Sequence, residues 1–210
     1  MRKLIAITHV TLDGIMQAPG GPEEDPRGGF AHGGWAMRSD ESVGEALDKI
    51  MAGDFDLLLG RRTYEIFAAY WPYQDGHPIA KAFNQAAKYV VTRRLDRLDW
   101  ANSQRIGGDA VDAIRRLKAS DGDELHIWGS GELLQTLIAA DVVDEFRVWL
   151  YPLILGTGRR LFENGLPPRG LTLVESRRTP TGVLLNTYRP AGPLPRSSRE
   201  PETPAASVEI

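Results

Sequence analysis

Strand-like and helix-like segments alternate along most of this chain, and no other feature constrains its fold as strongly. Apolar runs typical of buried strands occupy residues 3–9, 55–59, 89–92, 124–128 and 144–151. Apolar residues spaced three or four apart, which predict amphipathic helices, occupy 39–51, 61–70, 109–119 and 132–139. Repeated strand–helix–strand units predict a mostly parallel sheet with helices on both faces, which is a three-layer α/β/α fold.

The C-terminal part of the sequence changes character twice. Segments 171–177 and 183–188 flank Thr179-Pro180-Thr181-Gly182, and proline second with glycine fourth is typical of a reverse turn. This pattern predicts an antiparallel hairpin at one end of the sheet. Residues 190–210 contain five prolines and few large apolar side chains, so they cannot offset the entropy of ordering. We expect one domain, 1–189, followed by a disordered tail, 190–210.

Composition excludes several classes of protein. The chain has no cysteine, which rules out disulfides, thiolate metal sites and a cysteine nucleophile. A formal net charge of −3 gives no general basic surface for nucleic acid. No apolar run approaches the length of a membrane span. The four histidines lack metal-ligand spacing, so no metal site is expected. A cytoplasmic enzyme or binding domain for a small molecule is the remaining expectation, without nucleic acid or membrane as partner.

Two junctions between a strand and a helix share one design. The first is Gly60-Arg61-Arg62-Thr63 and the second is Gly129-Ser130-Gly131-Glu132. Glycine at the end of a strand lets a ligand approach the backbone, and the N–H groups that begin the next helix favour phosphate. Either junction alone is equally consistent with an ordinary turn in which glycine relieves strain. Two of them on one sheet could bind both ends of a dinucleotide.

Two other segments suggest contacts to a nucleotide. Arg93-Arg94 follows a predicted strand and would suit a ribose 2′-phosphate, although a solvated pair on a loop is the alternative. The loop 12–38 is long and glycine-rich, which is typical of lids or disordered segments. Trp35 near its end could stack on a flat ring or could instead fill the core.

Four motifs, in this order, resemble those of the dihydrofolate reductase-like superfamily. They are Val10-Thr11-Leu12-Asp13-Gly14, Leu58-Leu59-Gly60-Arg61-Arg62-Thr63-Tyr64-Glu65, Trp128-Gly129-Ser130-Gly131 and Pro152-Leu153-Ile154-Leu155-Gly156. The resemblance covers residues 2–189 and is strongest to the branch containing the C-terminal reductase domain of the bifunctional riboflavin-biosynthesis deaminase–reductase. Without cysteine, no deaminase half is expected here.

The resemblance implies an NADPH-dependent reductase that transfers a hydride to a small heterocyclic or ribosyl substrate. It places the following residues at the cofactor: Gly60, Arg61, Thr63, Thr92, Arg93, Arg94, Gly129, Ser130, Gly131, Glu132 and Leu133. It places Asp13, Trp35 and Trp128 near the substrate. Asp40 is the expected proton donor, with Glu41 and Asp48 as competing positions. Dimerisation through C-terminal strands, common among members, implies a homodimer with 144–162 at its interface.

One departure from the family pattern leaves the reaction open. The riboflavin branch carries an acidic residue just before the glycine pair, where it meets substrate, whereas this chain has Trp128. Dihydrofolate reductase activity is one alternative, and a non-catalytic NADP(H)-binding protein on the same fold is another.

Overall fold

A single mixed sheet organises the chain. The computed structural model describes residues 1–38 and 40–194. The strands are β1 (Leu4–Thr11), β2 (Phe55–Gly60), β3 (Lys88–Val91), β4 (Ser103–Ile106), β5 (Glu124–Trp128), β6 (Glu145–Tyr151), β7 (Arg169–Arg178) and β8 (Leu184–Pro193). Their spatial order is β4-β3-β2-β5-β1-β6-β8-β7. Strands β1 to β6 pair in parallel, whereas β8 pairs antiparallel with both β6 and β7. The predicted fold class is therefore confirmed.

The helices pack on both faces of this sheet. They are α1 (Glu41–Met51), α2 (Arg61–Tyr70), α3 (Pro78–Gln85), α4 (Ala110–Ala119) and α5 (Gly131–Ala139). Short 3-10 helices cover Arg27–Gly29, Trp35–Arg38 and Trp71–Tyr73. Within the described residues, no helix combines the length and the apolar character that crossing a membrane requires.

Alternation along the central strands divides the core between the two faces. On β1, Leu4 and Ala6 join the cluster that α4 and α5 cover, and Ile5 and Ile7 join the cluster that α2 and α3 cover. Side chains of a strand point alternately to opposite faces, so a strand with both faces covered must be apolar at every position. This explains the unbroken apolar runs of the sequence.

The hairpin forms where the turn residues predict it. The amide of Gly182 donates to the carbonyl of Thr179 (3.0 Å), and Gly182 has φ +88°. Its left-handed backbone is the conformation that glycine adopts most readily. Strand β8 continues to Pro193, so the ordered domain extends four residues beyond the predicted boundary at 189. The rest of the predicted tail, 195–210, lies outside the described residues.

Two elements were not predicted. Helix α3 has eight residues and begins with Pro78, which is too short a segment for its apolar spacing to be distinguished from a loop. Strand β4 lies at the edge of the sheet, paired only with β3, and its sequence Ser-Gln-Arg-Ile has no apolar alternation. Both elements depend on their neighbours rather than on a local signal.

The parallel strands give the sheet two unlike edges. Strands β1 to β6 all end at one edge, here called the carboxyl edge, and all begin at the other, the amino edge. Helices α2 and α5 begin at the carboxyl edge, directly after β2 and β5. Since β2 and β5 are neighbours, the topology places the beginnings of α2 and α5 side by side.

Candidate functional site

The two glycine junctions are in direct contact at the carboxyl edge. The amide of Gly60 donates to the hydroxyl oxygen of Ser130 at 2.9 Å. A Cβ added to Gly60 would lie 3.4 Å from the Cβ of Ser130 and 3.5 Å from that of Leu133. A side chain at residue 60 would therefore press against the second junction. The structure brings together the two segments that the sequence singles out.

Both helices begin without a side-chain cap. The N-cap residues are Gly60 for α2 and Ser130 for α5, and neither helix has a side-chain hydrogen bond to its first turn. The amides of 61–63 and of 131–133 thus remain available to an anion, and the helix dipoles add a partial positive charge. The amide of Gly60 is not available in this way, because it already donates to the hydroxyl oxygen of Ser130.

The backbone of the second junction leaves space in front of it. Gly129 and Ser130 both have left-handed backbones, with φ +66° and φ +60°. A Cβ on Gly129 would meet no atom within 4 Å, so this residue borders an open region. Ser130 is not glycine, and its strained conformation persists only because its surroundings hold it. Its hydroxyl oxygen contributes one such contact, by accepting the hydrogen bond from Gly60.

Basic side chains surround the two helix beginnings. Arg61 pairs with Glu65 on the next turn of α2 at 2.8 Å, and Arg62 lies 3.8 Å from the same carboxylate. Thr63, also expected at the cofactor, is half-buried in that first turn. On α5, the carboxylate of Glu132 is exposed and pairs with Arg159 at 3.1 Å.

The turn after β3 presents two further arginines. Thr92 is buried, and its hydroxyl accepts hydrogen bonds from the amides of Arg94 (3.1 Å) and Leu95 (3.3 Å). This turn leaves Arg93 and Arg94 exposed, and neither has an ion-pair partner among the described residues. Because β3 adjoins β2, the pair lies on the α2 side of the junctions.

Asp40 does not fit the role of proton donor. It is the N-cap of α1, accepting from the amide of Ser42, and it also accepts from the amide (2.9 Å) and hydroxyl (2.6 Å) of Thr181. These hydrogen bonds, chiefly those from Thr181, lower the pKa of Asp40 to about 2. A carboxyl that stays ionised at neutral pH has no proton to give. The expectation is therefore wrong on electrostatic grounds.

Trp35 and Asp13 are also committed to the fold. Trp35 is 6% exposed, donates its indole N–H to the carbonyl of Gln17 (2.7 Å) and packs edge-on against the ring of Tyr151. It fills the core, which was the alternative to stacking on a ligand. Asp13 accepts from the hydroxyl of Thr11 (2.6 Å) and the amide of Gly156 (2.8 Å). Its carboxylate joins two loops and is partly exposed, so its place near a substrate stays a prediction.

Trp128 is buried at the end of β5. Its ring packs against Phe83 in the cluster under α2 and α3, and the residue is 7% exposed. Its indole nitrogen has no hydrogen-bond partner among the described residues. An unpaired buried donor costs free energy, which makes this indole nitrogen a candidate to donate to a bound group. Trp128 thus lines the underside of the site rather than its open surface.

The long loop 12–38 is not a free lid. The side chain of Gln17 is 6% exposed and donates to the carbonyls of Asp25 (2.9 Å) and Arg27 (3.0 Å). The side-chain oxygen of Gln17 accepts a hydrogen bond from the backbone amide of Arg159 at 3.0 Å. These hydrogen bonds tie the loop to the segment that contains Arg159. The sequence analysis missed Gln17, because a single glutamine in a glycine-rich loop belongs to no recognisable motif.

Histidines and metal-binding groups offer no alternative site. Burial lowers the pKa of His9 to about 4 and, with a smaller effect of Arg147, that of His126 to about 3, so both rings are neutral at physiological pH. His126 stacks on Phe55 at 4.5 Å as part of the core. Residues 1–38 and 40–194 contain no group of three or more His, Asp or Glu suited to a metal ion.

Enclosed space does not mark the site. Cavities of about 320 and 210 Å³ both lie elsewhere, the first at the amino edge beside Arg2 and Asp144, the second between Asp141 and Pro193. Neither is lined by a residue of the two junctions. Backbone donors and charges, rather than a closed cavity, identify the candidate site.

Comparison with known proteins agrees with this architecture. The protein YyaP of Bacillus subtilis (strain 168) is 26% identical over 192 residues, which span 89% of this chain and 94% of YyaP. A putative riboflavin biosynthesis protein from Shewanella sp. PV-4 superposes with a TM-score of 0.64 at 21% identity, covering 90% of this chain and 99% of its own. Dihydrofolate reductase from Enterococcus faecalis, solved with NADP(H) and RAB-propyl, gives 0.58 at 14%, covering 90% and 96%.

These two solved structures share the fold of this chain. The sequence itself matches the RibD C-terminal domain over residues 2–185, which is nearly the whole of the described domain. The chain belongs to the RibD C-terminal domain family.

Proposed function

We propose that this protein is an NADPH-dependent reductase of the riboflavin-biosynthesis type. Membership of the RibD C-terminal domain family supports a reductase. The hydrogen bond from Gly60 to Ser130 carries the proposal further, because it joins two uncapped helix beginnings into one anion site. The residues present fit a dinucleotide. Two helix beginnings supply backbone donors, and a Cβ built on Gly129 would meet no atom within 4 Å, so there is open space in front of them.

Each part of the site takes one part of the cofactor in this proposal. The amides of 61–63 and 131–133 bind the diphosphate, and Thr63 lies in the same first turn of α2. Arg93 and Arg94 bind the 2′-phosphate, as two exposed guanidinium groups without ion-pair partners can. The cofactor, when bound, supplies the hydride. The chain supplies orientation, which can account for much of the rate of such a transfer.

The substrate is proposed to be a small heterocycle, with or without a ribosyl chain. Where the riboflavin branch has an acid, which would accept hydrogen bonds, Trp128 can only donate one. A substrate recognised by Trp128 would present an acceptor, such as a ring carbonyl, to the indole N–H, and the residues that now bury this N–H would have to move. The proton that follows the hydride is proposed to come from water, because Asp40 stays ionised.

A non-catalytic NADP(H)-binding protein is the second candidate function. One observation favours it: Asp40, the carboxyl expected to supply the proton, is hydrogen bonded to Ser42 and Thr181 instead. Oxidation of NADPH, followed by absorbance with pteridine and pyrimidine substrates, separates the two. Turnover supports the reductase. Tight NADPH binding by calorimetry with no turnover supports the binding protein, and neither binding nor turnover would remove both.

A cytoplasmic homodimer is the proposed form of the protein. Strand β6 is paired on both sides, by β1 and β8, so segment 144–162 can contribute only its face and the loop that carries exposed Ile154 and Phe162. Strand β7 is the edge strand at the end of the sheet opposite β4, with exposed Leu171 and Leu173. Light scattering coupled to size exclusion should give twice the chain mass, and a monomer mass would contradict the dimer.

A further inference from the structure

One arginine of the long loop is connected through hydrogen bonds to the beginning of α5 and has not been assigned to the site. Arg27 is in the 3-10 helix Arg27–Gly29, and its side chain is partly exposed. It forms a two-pronged ion pair with Asp25, with Nε at 2.6 Å and an η nitrogen at 2.5 Å from the two carboxylate oxygens. Asp25 itself is buried, at 8% exposed. The pair therefore has a fixed acidic partner and a guanidinium that solvent can reach.

A chain of hydrogen bonds places this pair close to α5. Gln17 donates to the carbonyls of Asp25 and Arg27, and its own oxygen accepts from the amide of Arg159. The side chain of Arg159 in turn pairs with Glu132, in the first turn of α5. Next to Gln17 in the loop, the sulfur of Met16 lies 4.0 Å from a Cβ built on Gly131. The loop thus rests against the beginning of α5.

Charges on both helices act on the pair. The pKa of Arg27 is raised mainly by its hydrogen bonds to Asp25, with further contributions from Glu132 on α5 and Glu65 on α2. Burial works to raise the pKa of Asp25, but Arg27 lowers it overall and Arg62 of α2 adds to that effect. These influences agree with the chain of hydrogen bonds, which connects the pair to the beginning of α5.

We propose that Arg27 is an exchangeable cation of the nucleotide site: it pairs with Asp25 when the site is empty and with a phosphate of the diphosphate when a nucleotide is bound. This inference rests on the proposed function and adds a residue to it. The neighbouring arginines follow the same arrangement, since Arg61 pairs with Glu65 and Arg159 with Glu132. A diphosphate accepts bidentate hydrogen bonds from guanidinium as a carboxylate does, and it carries more charge.

Opposite effects of two substitutions test the exchange. Asp25 competes with the ligand for Arg27, so Asp25→Asn should tighten nucleotide binding, by about threefold or more. Arg27→Ala removes a charge-assisted contact and should weaken it about tenfold or more. Both changes break the same ion pair, so a pair that only stabilises the loop would shift the two affinities in the same direction. Arg27→Lys keeps the charge without the fork and should fall between wild type and Arg27→Ala.

The measurement is calorimetric titration of the full chain with NADPH, NADH and inorganic pyrophosphate. Arg27→Ala should weaken NADPH and NADH by the same factor, because both carry the diphosphate. Arg116→Ala, an exposed position on α4, is the matched control and should change none of the three affinities. Circular dichroism of each variant confirms that it is folded.

The outcomes separate this inference from the proposed function. Unchanged NADPH affinity in Arg27→Ala, or weaker binding in both Arg27→Ala and Asp25→Asn, overturns the role of Arg27 and leaves the reductase intact. Wild-type binding of pyrophosphate but of neither nucleotide, with loss in Arg27→Ala, supports the role of Arg27 and removes the reductase. No binding of any of the three ligands overturns both.

Discussion

The two edges of the sheet contain similar charged residues and use them differently. At the amino edge, buried Arg2 pairs with half-buried Asp56, and Lys118 donates to the carboxylate of Asp144 and the carbonyl of Val142, both at 2.6 Å. At the carboxyl edge, Arg93 and Arg94 are exposed without ion-pair partners among the described residues. Arg2 and Lys118 at the amino edge are buried and paired, whereas Arg93 and Arg94 at the carboxyl edge remain available to a ligand.

Burial accounts for this difference. A charge removed from water must be paired and hydrogen bonded, so the amino-edge groups cannot leave their partners cheaply. Lys88 shows the cost most clearly: burial lowers its pKa to about 8, although it donates to two carbonyls and lies over the ring of Trp100. Arg93 and Arg94 are exposed and have no ion-pair partner among the described residues, so a phosphate can bind them without leaving a buried charge unpaired. We therefore expect stability to depend on the amino edge and binding to depend on the carboxyl edge.

The largest expected effect is at the amino edge. Arg2→Ala leaves the half-buried Asp56 without its cation and removes a hydrogen bond to the carbonyl of Asp123. We expect the free energy of unfolding to fall by about 3 kcal/mol, as measured by urea denaturation. The matched change at the other edge, Arg93→Ala, should alter it by less than about 0.5 kcal/mol. Equal losses for the two arginines would end the distinction between the edges.

The next effect is on cofactor choice at the carboxyl edge. Changing Arg93 and Arg94 together to alanine should weaken NADPH by about tenfold or more, because a 2′-phosphate would lose charge-assisted contacts. NADH lacks that phosphate and should bind nearly as in wild type. Calorimetric titration of the double variant with each nucleotide measures the ratio. If both nucleotides weaken equally, the assignment of these arginines to the 2′-phosphate is wrong.

A smaller effect is expected at the contact between the junctions. Ser130→Ala removes the acceptor of the Gly60 amide and keeps the left-handed backbone, so we expect a loss of about 1–2 kcal/mol in the free energy of unfolding. Ser130→Gly loses the same hydrogen bond but relieves the strain, so it should be the more stable variant. NADPH should bind more weakly to both. Wild-type stability in Ser130→Ala would show that the contact is not needed.

The smallest effect concerns Asp40, whose folded pKa of about 2 is below its ordinary value of 3.8. A depressed pKa stabilises the fold above about pH 4, and this contribution disappears as the pH falls through 2. Melting temperatures of wild type and Asp40→Asn should therefore differ slightly at neutral pH and converge near pH 2. Turnover should be retained in Asp40→Asn. Abolished turnover with unchanged stability would restore Asp40 as the proton donor.

Local patterns predict the sheet, four of the helices and both glycine junctions, because each depends on residues close in sequence. Periodicity in 61–70 and 132–139 and glycine before each helix are sufficient to place α2 and α5 at the carboxyl edge. Helix α3 and strand β4 gave no such signal, since eight residues and an unpatterned edge strand show little periodicity.

The commitments of individual side chains could not be predicted in the same way. Asp40 and Asp13 both have the chemistry of site residues, but their partners are 141 and 143 residues away along the chain. Trp35 has the chemistry both to stack on a ligand and to fill the core. Its hydrogen bond to the carbonyl of Gln17 and its contact with Tyr151 show that it fills the core. A residue type shows what a side chain can do, whereas long-range packing determines whether it remains free to do it.

Hydrogen–deuterium exchange with and without NADPH tests the central claim most directly. The account predicts that NADPH slows exchange of the first-turn amides in 61–63 and 131–133, with little change in the strand beginnings at the amino edge. Protection that is absent from both helix beginnings, or that is confined to the amino edge, would contradict it.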